Sequence, residues 1–427
     1  MYCAVYILDA PYHIDRPFDY LCPSALSGQI HSGSLVTVPF GMQNRLRRAV
    51  AVELCEQSEN TKVKPVHAVL DDRFSLSEEM LGLCLFLKEY TLCTFGEAVK
   101  TVLPPGALSE APNIRIRKLY RLAKPREEIA ALLAGKSLRS EGQKTVLRFL
   151  LDIEEADSIL LREQPGVTLS HIGALIEKGL LVFAEEEEYR NPYAHFGTQG
   201  DRSPICLSEA QSRAYGEIER LLLLDEPKAA LLYGITGSGK TQVIMKAIDR
   251  TMEEGKSVIM LVPEIALTPQ TVHIFCTRYG GRVAVIHSSL SQGERLDAFR
   301  RIRGGEVDLV IGTRSAIFAP LPNLGMIVID EEHEHTYKSE SDPKYHARDV
   351  AAYRCGKTNA LMLLASATPS IESFYKAKSG KYTLVPLRER YGGAKLPTAV
   401  IVDMREELRL GNTSPISERL LGALKTV

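Results

Sequence analysis

Between residues 229 and 365 the chain alternates short, mainly apolar runs with longer amphipathic stretches. The runs fall at 229–233, 257–262, 283–287, 307–311, 326–329 and 360–365. Runs of this length read as strands buried on both faces, and their alternation with helices predicts one parallel sheet with helices on either side. Earlier in the chain the pattern differs. Residues 2–8 and 34–39, broken by Pro and Gly, predict short strands of a small β-rich module, followed by a helix over 77–90. Between the two regions, amphipathic segments at 143–156 and 169–178 precede the apolar run 179–183. That order suits a winged-helix unit, with a plain helical linker domain as the alternative.

Pro, Gly, Asn and Asp gather at 103–106 and 191–203, and a further break falls at 396–397. The expected division is a β-rich domain at 1–106, a helical domain at 107–200, an α/β lobe at 201–395 and a remainder at 396–427 holding a strand and the start of a helix. A length of 427 residues is compatible with roughly three domains. The formal net charge of -1 exerts no global pull on nucleic acid, so any such binding must be local. No run spans a bilayer and no leader pattern opens the chain, so no membrane role and a cytoplasmic location are expected. The eight cysteines form no C-x-x-C pair that would hold zinc and read as free thiols.

The sharpest motif begins at Gly234 and runs through Gly237, Ser238, Gly239, Lys240 and Thr241, matching G-x-x-x-x-G-K-[ST] between a strand and a helix. Glycines there let backbone N–H groups close around phosphates. Lys240 would reach the β and γ phosphates of ATP, and Thr241 would hold Mg²⁺. The run at 326–329 delivers Asp330, suited to Mg²⁺, and Glu331, suited to an attacking water. Two such carboxylates alone would be an ordinary loop; sharing a sheet with the phosphate loop makes them a catalytic pair with Lys240. Ser208 and Gln211 form the pattern of a capping box, and Gln211 reading an adenine edge is the equal alternative.

At Asp330-Glu331-Glu332-His333 the chain resembles superfamily 2 helicases, and within them the primosomal protein N′ family of bacterial replication-restart helicases. Segment 261–270 is similar to that family's first DNA-contacting motif, and the segment containing Thr313 and Arg314 to the next. Ser366-Ala367-Thr368-Pro369 resembles the motif that couples ATP state to DNA grip, with His333 as its partner. The loop 335–348 looks like the family's aromatic-rich loop. By that resemblance Tyr337, Lys338 and Tyr345 would contact single-stranded DNA, although Pro343 stands where some relatives carry an aromatic and the chain has no Trp.

In the first module the resemblance implies a pocket for a DNA 3′ end formed by Phe18, Asp19, Tyr20, Gly41 and Lys64. Read without the family, residues 18–20 are two core aromatics around a turn residue. Two charged stretches complete the reading. Arg115, Arg117, Lys118, Arg121, Lys124 and Arg126 would contact duplex phosphates or simply form a charged linker surface, and the acids at 185–188 would be the solvated tip of a wing.

The family implies an ATP- and Mg²⁺-dependent 3′-to-5′ DNA helicase of replication restart. Its expected partners are forked and single-stranded DNA, single-stranded-DNA-binding protein and other primosome proteins. Full-length members add a second motor lobe, with arginine fingers, and a zinc region, for neither of which this chain carries residues. An arginine finger is worth about 10³ to 10⁵ in rate. The alternative is therefore an ATP-binding and fork-binding module that does not hydrolyse alone.

Overall fold

A computed structural model describes residues 1–426 except 27, 59, 61, 110–113, 136–137, 195–199, 202, 225 and 391–398. The break expected at 396–397 lies outside the described residues.

The first unit is a six-stranded sheet made of β1 (Tyr2–Ile7), β2 (Phe18–Leu21), β3 (Leu35–Phe40), β4 (Arg45–Cys55), β5 (Lys64–Pro65) and β6 (Ala68–Val69), ordered β5-β2-β1-β4-β3-β6. Residues 18–20, read in isolation as spanning a turn, lie within β2, paired with β1 from Tyr2↔Leu21 to Val5↔Phe18. The sheet supplies partners for both edges of β2, which a turn would leave unused. Helices α1 (Glu78–Thr91) and α2 (Phe95–Val102) follow. Ser77 caps the first, and Thr94 and Glu97 form a capping box on the second, so both short helices begin with satisfied N–H groups.

The middle unit comprises β7 (Ile116–Leu122), α3 (Arg126–Ala134), α4 (Glu141–Ile153), β8 (Glu155–Asp157), α5 (Ser158–Arg162), α6 (Leu169–Glu177) and β9 (Leu181–Glu187). It is an antiparallel sheet ordered β8-β7-β9 with its own small core. The acids at 185–187 are exposed, but they end β9 in register against β7, with Lys118 opposite Glu185, so that opposite charges lie side by side across the pair. Each member of the basic stretch finds an acid: Arg115 with Glu188, Arg117 with Asp157, Lys118 with Glu185 and Arg121 with Glu155 across the sheet, then Lys124 with Glu128 and Arg126 with Glu154 beyond it. These charges pair within the unit, which favours the linker-surface reading. Glu187 also pairs with Arg73 of the first unit and with Arg300 of the lobe that follows.

That lobe contains α7 (Glu209–Leu222), β10 (Lys228–Gly234), α8 (Lys240–Glu253), β11 (Ser257–Leu261), α9 (Pro269–Tyr279), β12 (Val283–Ile286), α10 (Gln292–Arg303), β13 (Leu309–Gly312), β14 (Leu324–Asp330), α11 (Ala347–Thr358), β15 (Leu361–Ser366), α12 (Ile371–Lys378) and β16 (Thr383–Leu387). Its seven strands are all parallel, in the order β12-β13-β11-β14-β15-β10-β16. Strand β16 escaped the hydrophobic pattern because Pro386 interrupts it at the sheet edge, where a missing N–H costs little. Beyond it, the strand expected after 397 is absent among the described residues. Only α13 (Met404–Arg409) and α14 (Glu418–Lys425) follow, and Ile401 is 96% exposed with no strand beside it.

Alternation along the central strands divides them between two cores. Leu231, Ile259, Ile327 and Leu364 face one, whereas Leu232, Met260, Val328 and Leu363 face the other. The first core runs without interruption into Leu83, Leu87, Phe95 and Val99 of α1 and α2. The helices of the first unit thus serve as part of the covering layer of the α/β lobe.

Arg354 of α11, fully buried, locks this junction. Its Nε donates to Glu79 Oε1 at 2.6 Å and one terminal nitrogen to Glu79 Oε2 at 3.1 Å. The other terminal nitrogen donates to the carbonyls of Ile317 and Ala319 at 2.6 and 3.0 Å. Arg354→Ala is expected to destabilise the chain by about 3–5 kcal/mol, the cost of stranding a paired buried charge. A urea unfolding curve with an unshifted midpoint would show that the junction does not depend on the pair.

Candidate functional site

Strand β10 ends at Gly234 and α8 begins at Lys240, so the intervening loop must reverse the chain in five residues. Gly237 and Gly239 both adopt φ +78°, a region open to glycine and strained for other residues. At Gly239 a Cβ would also lie 2.2 Å from Gln211 Nε2. Gln211 is 1% exposed. Its Oε1 accepts from the Ser208 N–H at 2.9 Å, while its Nε2 donates to the Ser238 carbonyl at 3.1 Å and to Gln242 Oε1 at 3.2 Å. The capping box is therefore formed. Gln211 Oε1 thus completes the cap, while its Nε2 braces the loop before α8 through the Ser238 carbonyl.

Lys240 Nζ donates to the Gly234 carbonyl at 2.9 Å and lies 3.8 Å from Glu331 Oε1. Thr241 is exposed in the first turn of α8, and the buried Ser238 Oγ has no hydrogen-bond partner among the described residues. The parallel sheet brings Asp330, the last residue of β14, to this same end. Burial first and the neighbouring Glu331 second push the Asp330 carboxyl up to about 6, with Lys240 opposing. Such a group gains from a nearby cation. The loop turns sharply at Glu331, whose φ of +44° is unusual for a side-chain-bearing residue and marks local strain.

Next to this pair, the loops after β14 and β15 interlock. His333 Nδ1 is 2.8 Å from Ser366 Oγ and its Nε2 is 3.4 Å from Thr368 Oγ1. Ser366 Oγ also donates to Glu331 Oε2 at 3.4 Å. Sequence reasoning assigned no role to Glu332, which is 2% exposed. Its carboxylate accepts from the Ser370 N–H at 2.6 Å, from Ser370 Oγ at 3.1 Å, from Ser373 Oγ at 2.9 Å and from Arg348 at 3.3 Å. A third acid in a row of charged residues was the available signal.

The loop 335–348 differs from its expectation. Tyr337 is 1% exposed and donates its hydroxyl to the Asp330 carbonyl at 2.6 Å; Tyr345 is 5% exposed, edge-on to Phe318 at 4.9 Å. Neither ring can stack on a base in this arrangement, since both are more stable in the core than in water. Lys338 is exposed, with Nζ on the Lys344 carbonyl at 2.7 Å. Arg314 donates to the carbonyls of Thr336 and Lys338 and lies 5.9 Å from the Tyr345 ring, fastening the loop to the sheet. Thr313, nearly buried, lines a cleft of about 490 Å³ together with Glu264, Pro269 and the segment 287–289.

In the first unit, Phe18, Asp19, Tyr20, Gly41 and Lys64 come together around one cavity of about 640 Å³. Asp19 Oδ2 accepts from Ser58 Oγ at 2.6 Å and Asn60 Nδ2 at 2.9 Å, and Lys64 Nζ donates to the Gly41 carbonyl at 2.7 Å. Tyr20 is a buried wall whose hydroxyl donates to the Pro39 carbonyl at 3.0 Å. Arg16, Asn60 and Lys62 also line the cavity. Arg16 adjoins 18–20 in the chain and shares their motif, whereas Asn60 and Lys62 carried none.

Comparison with known proteins matches residues 6–104 to a 3′DNA-binding domain and residues 208–376 to a DEAD/DEAH box helicase. Among curated proteins, the chain is 37% identical to replication restart protein PriA of Bacillus subtilis, over 97% of this chain and 59% of that protein. The corresponding protein of Chlamydia trachomatis is 34% identical over 94% of this chain and 54% of its own length, and that of Treponema pallidum 46% identical over 50% and 32%. The chain thus spans between about half and three fifths of the length of the first two relatives. Among solved structures, RecG bound to a three-way DNA junction matches at 21% identity and TM-score 0.35, covering 63% of this chain and 37% of that one.

Glu332→Ala should cost about 3–5 kcal/mol, because it leaves Arg348 as a buried charge without its partner and three donors without an acceptor. Equilibrium unfolding measures this directly, and a loss below about 1 kcal/mol would show that the carboxylate does not hold the two loops together.

Proposed function

The chain belongs to the PriA family of replication restart proteins, and on that premise we propose that it binds ATP and DNA for an ATP-dependent 3′-to-5′ DNA helicase acting at stalled forks. The observation that carries this reading is the approach of Lys240 to Glu331, with Asp330 beside them, on a chain whose first unit holds a separate polar cavity. In P-loop proteins this combination of lysine, hydroxyl and carboxylates serves phosphoryl transfer.

Gly234, Gly237, Ser238, Gly239 and Lys240 cradle the phosphates in this proposal. Thr241 and Asp330 hold Mg²⁺, a cation commonly bound by one or two protein oxygens together with substrate phosphates. The orphaned Ser238 hydroxyl and the raised Asp330 carboxyl fit an anionic nucleotide with a bound cation. The metal would neutralise charge on the transferring phosphoryl group. Glu331 orients the attacking water. His333, Ser366 and Thr368 carry the nucleotide state toward the DNA-facing loops through their hydrogen bonds to one another and to Glu331.

The cavity around Asp19 takes a DNA 3′ end, and Thr313, Arg314 and Lys338 flank the path of single-stranded DNA. Helices α4 to α6 with the β8-β7-β9 sheet act as a winged-helix unit at the fork. Single-stranded-DNA-binding protein and other primosome proteins are its proposed partners, in the cytoplasm. Among the described residues no helix is long and apolar enough to cross a membrane.

Two experiments test the reading. Lys240→Ala removes a charge-assisted contact worth about 1.5–3 kcal/mol, so calorimetric ATP affinity should fall at least about tenfold. Affinity equal to that of the unaltered chain would refute the phosphate site. For the 3′-end cavity, a terminal hydroxyl can donate to the Asp19 carboxylate, whereas a terminal phosphate meets it with like charge. Fluorescence anisotropy should show weaker binding to 3′-phosphate than to 3′-hydroxyl ends, with the difference lost in Asp19→Ala. Indifference of the unaltered chain to the end group would exclude this role.

A further inference from the structure

Segment 189–194, which leads from the middle unit toward the α/β lobe, is seated on α10. The Arg190 N–H and one of its guanidinium nitrogens donate to Asp297 Oδ2 at 2.9 and 3.3 Å, and the Asp297 side chain is fully buried. Three residues later Tyr193 reaches the cleft that contains Thr313. Its ring lies edge-on to His287 with centroids 6.3 Å apart, and its hydroxyl is 2.6 Å from His287 Nε2. The direction of that bond follows from the other ring nitrogen. The Ser289 N–H donates to His287 Nδ1 at 3.2 Å, and a neutral imidazole with Nδ1 accepting carries its proton on Nε2. Burial, together with Arg295, holds His287 below its ordinary range, in keeping with the neutral form. His287 therefore donates to the tyrosine oxygen and fixes the ring against the cleft. Arg295 in turn donates to the carbonyls of Ser288 and Leu290, so one helix positions both the segment and the cleft wall.

The cleft lies beyond the carboxyl ends of β12 and β13, the end at which open α/β sheets bind ligands. Its walls divide by chemistry. Ser288, Ser289 and Thr313 offer hydroxyls, Val272 and Leu267 offer apolar surface, and Glu264 stands on the remaining side. Hydroxyls suit a phosphodiester, Glu264 repels one, and an aromatic ring on an apolar wall suits the face of a base.

We propose that Tyr193, supplied by the segment joining the middle unit to the α/β lobe, is a single-stranded-DNA contact that stacks on a base in the Thr313 cleft. This rests on the reading that the cleft takes DNA. It adds a residue outside the segments that resemble helicase motifs and links strand occupancy to the seat of the middle unit. The same segment continues back to Glu187, which pairs with Arg300 on α10.

The test is photocrosslinking of the whole chain to an oligothymidine carrying 5-iodouracil, with adducts mapped by mass spectrometry. Adducts at Tyr193 together with adducts in peptides containing 287–289 or 313 are expected. Adducts in those peptides with none at Tyr193 would overturn the inference and leave the DNA cleft standing. No adduct anywhere in the cleft would overturn both. In parallel, Tyr193→Leu should weaken oligothymidine binding about 5- to 100-fold, the range for losing one base–aromatic stack, with Tyr193→Phe losing less. Unaltered affinity in Tyr193→Leu would also overturn the proposal. If that variant misfolds, the crosslink on the unaltered chain decides.

Discussion

Glu332 carries a charge into a region from which water is excluded, and such a charge persists only where several donors converge on it. The donors come from the loop and helix start after β15, and from Arg348 at the start of α11. The carboxylate therefore joins three segments that sequence places up to 41 residues apart. Its immediate neighbours gain most. Asp330 and Glu331 precede it on a backbone that cannot shift without breaking these bonds, and His333 follows it into contact with Ser366 and Thr368. The strained φ at Glu331 is held by the anchored residue after it and by the Tyr337 hydroxyl on the Asp330 carbonyl before it.

The same economy of anchoring recurs between units. Apolar surface on α1 and α2 is covered by the face of the α/β lobe, so the first unit is not a bead on a string but a contributor to the lobe's core. Burial of this kind is non-directional and would tolerate sliding. Arg354 removes that freedom, because its planar fork demands one geometry from Glu79 and two backbone carbonyls. At the opposite junction Glu187 pairs with Arg73 and Arg300, a more exposed arrangement that salt would weaken.

How much of this was legible depended on whether information was local. Six of the seven strands of the parallel sheet could be read from apolar runs, since burial on both faces leaves an unbroken pattern, and the phosphate loop from its glycines. Proline hid β16. What the sequence could not convey was which side chains burial would claim. Tyr337 and Tyr345 sit among cations in a loop, a composition suited to stacking on bases, yet both rings are in the core and only the cations remain outside. The basic stretch on β7 likewise looked available until antiparallel pairing set β9 and β8 acids against it. Gln211 satisfied two readings at once by spacing, and its bond to the Ser238 carbonyl 27 residues on was legible in neither.

Lys240 in the proposed phosphate site is already engaged within the chain, and this shapes what a ligand must do there. Lys240 leans on the Gly234 carbonyl and toward Glu331, so a positive charge is kept near two carboxylates that would otherwise face each other alone. A phosphate arriving at the loop competes for Lys240 with both groups. If the lysine turned to it, Asp330 and Glu331 would lose their nearest cation and their mutual repulsion would grow, which a cation bound with the nucleotide would offset. Glu331 would then hold fewer partners, Ser366 and His333 among them, and these two are bonded to each other. Under the proposed function, the contact with Glu331 that Lys240 would release is the first link of a path leading away from the nucleotide, through residues held by Glu332.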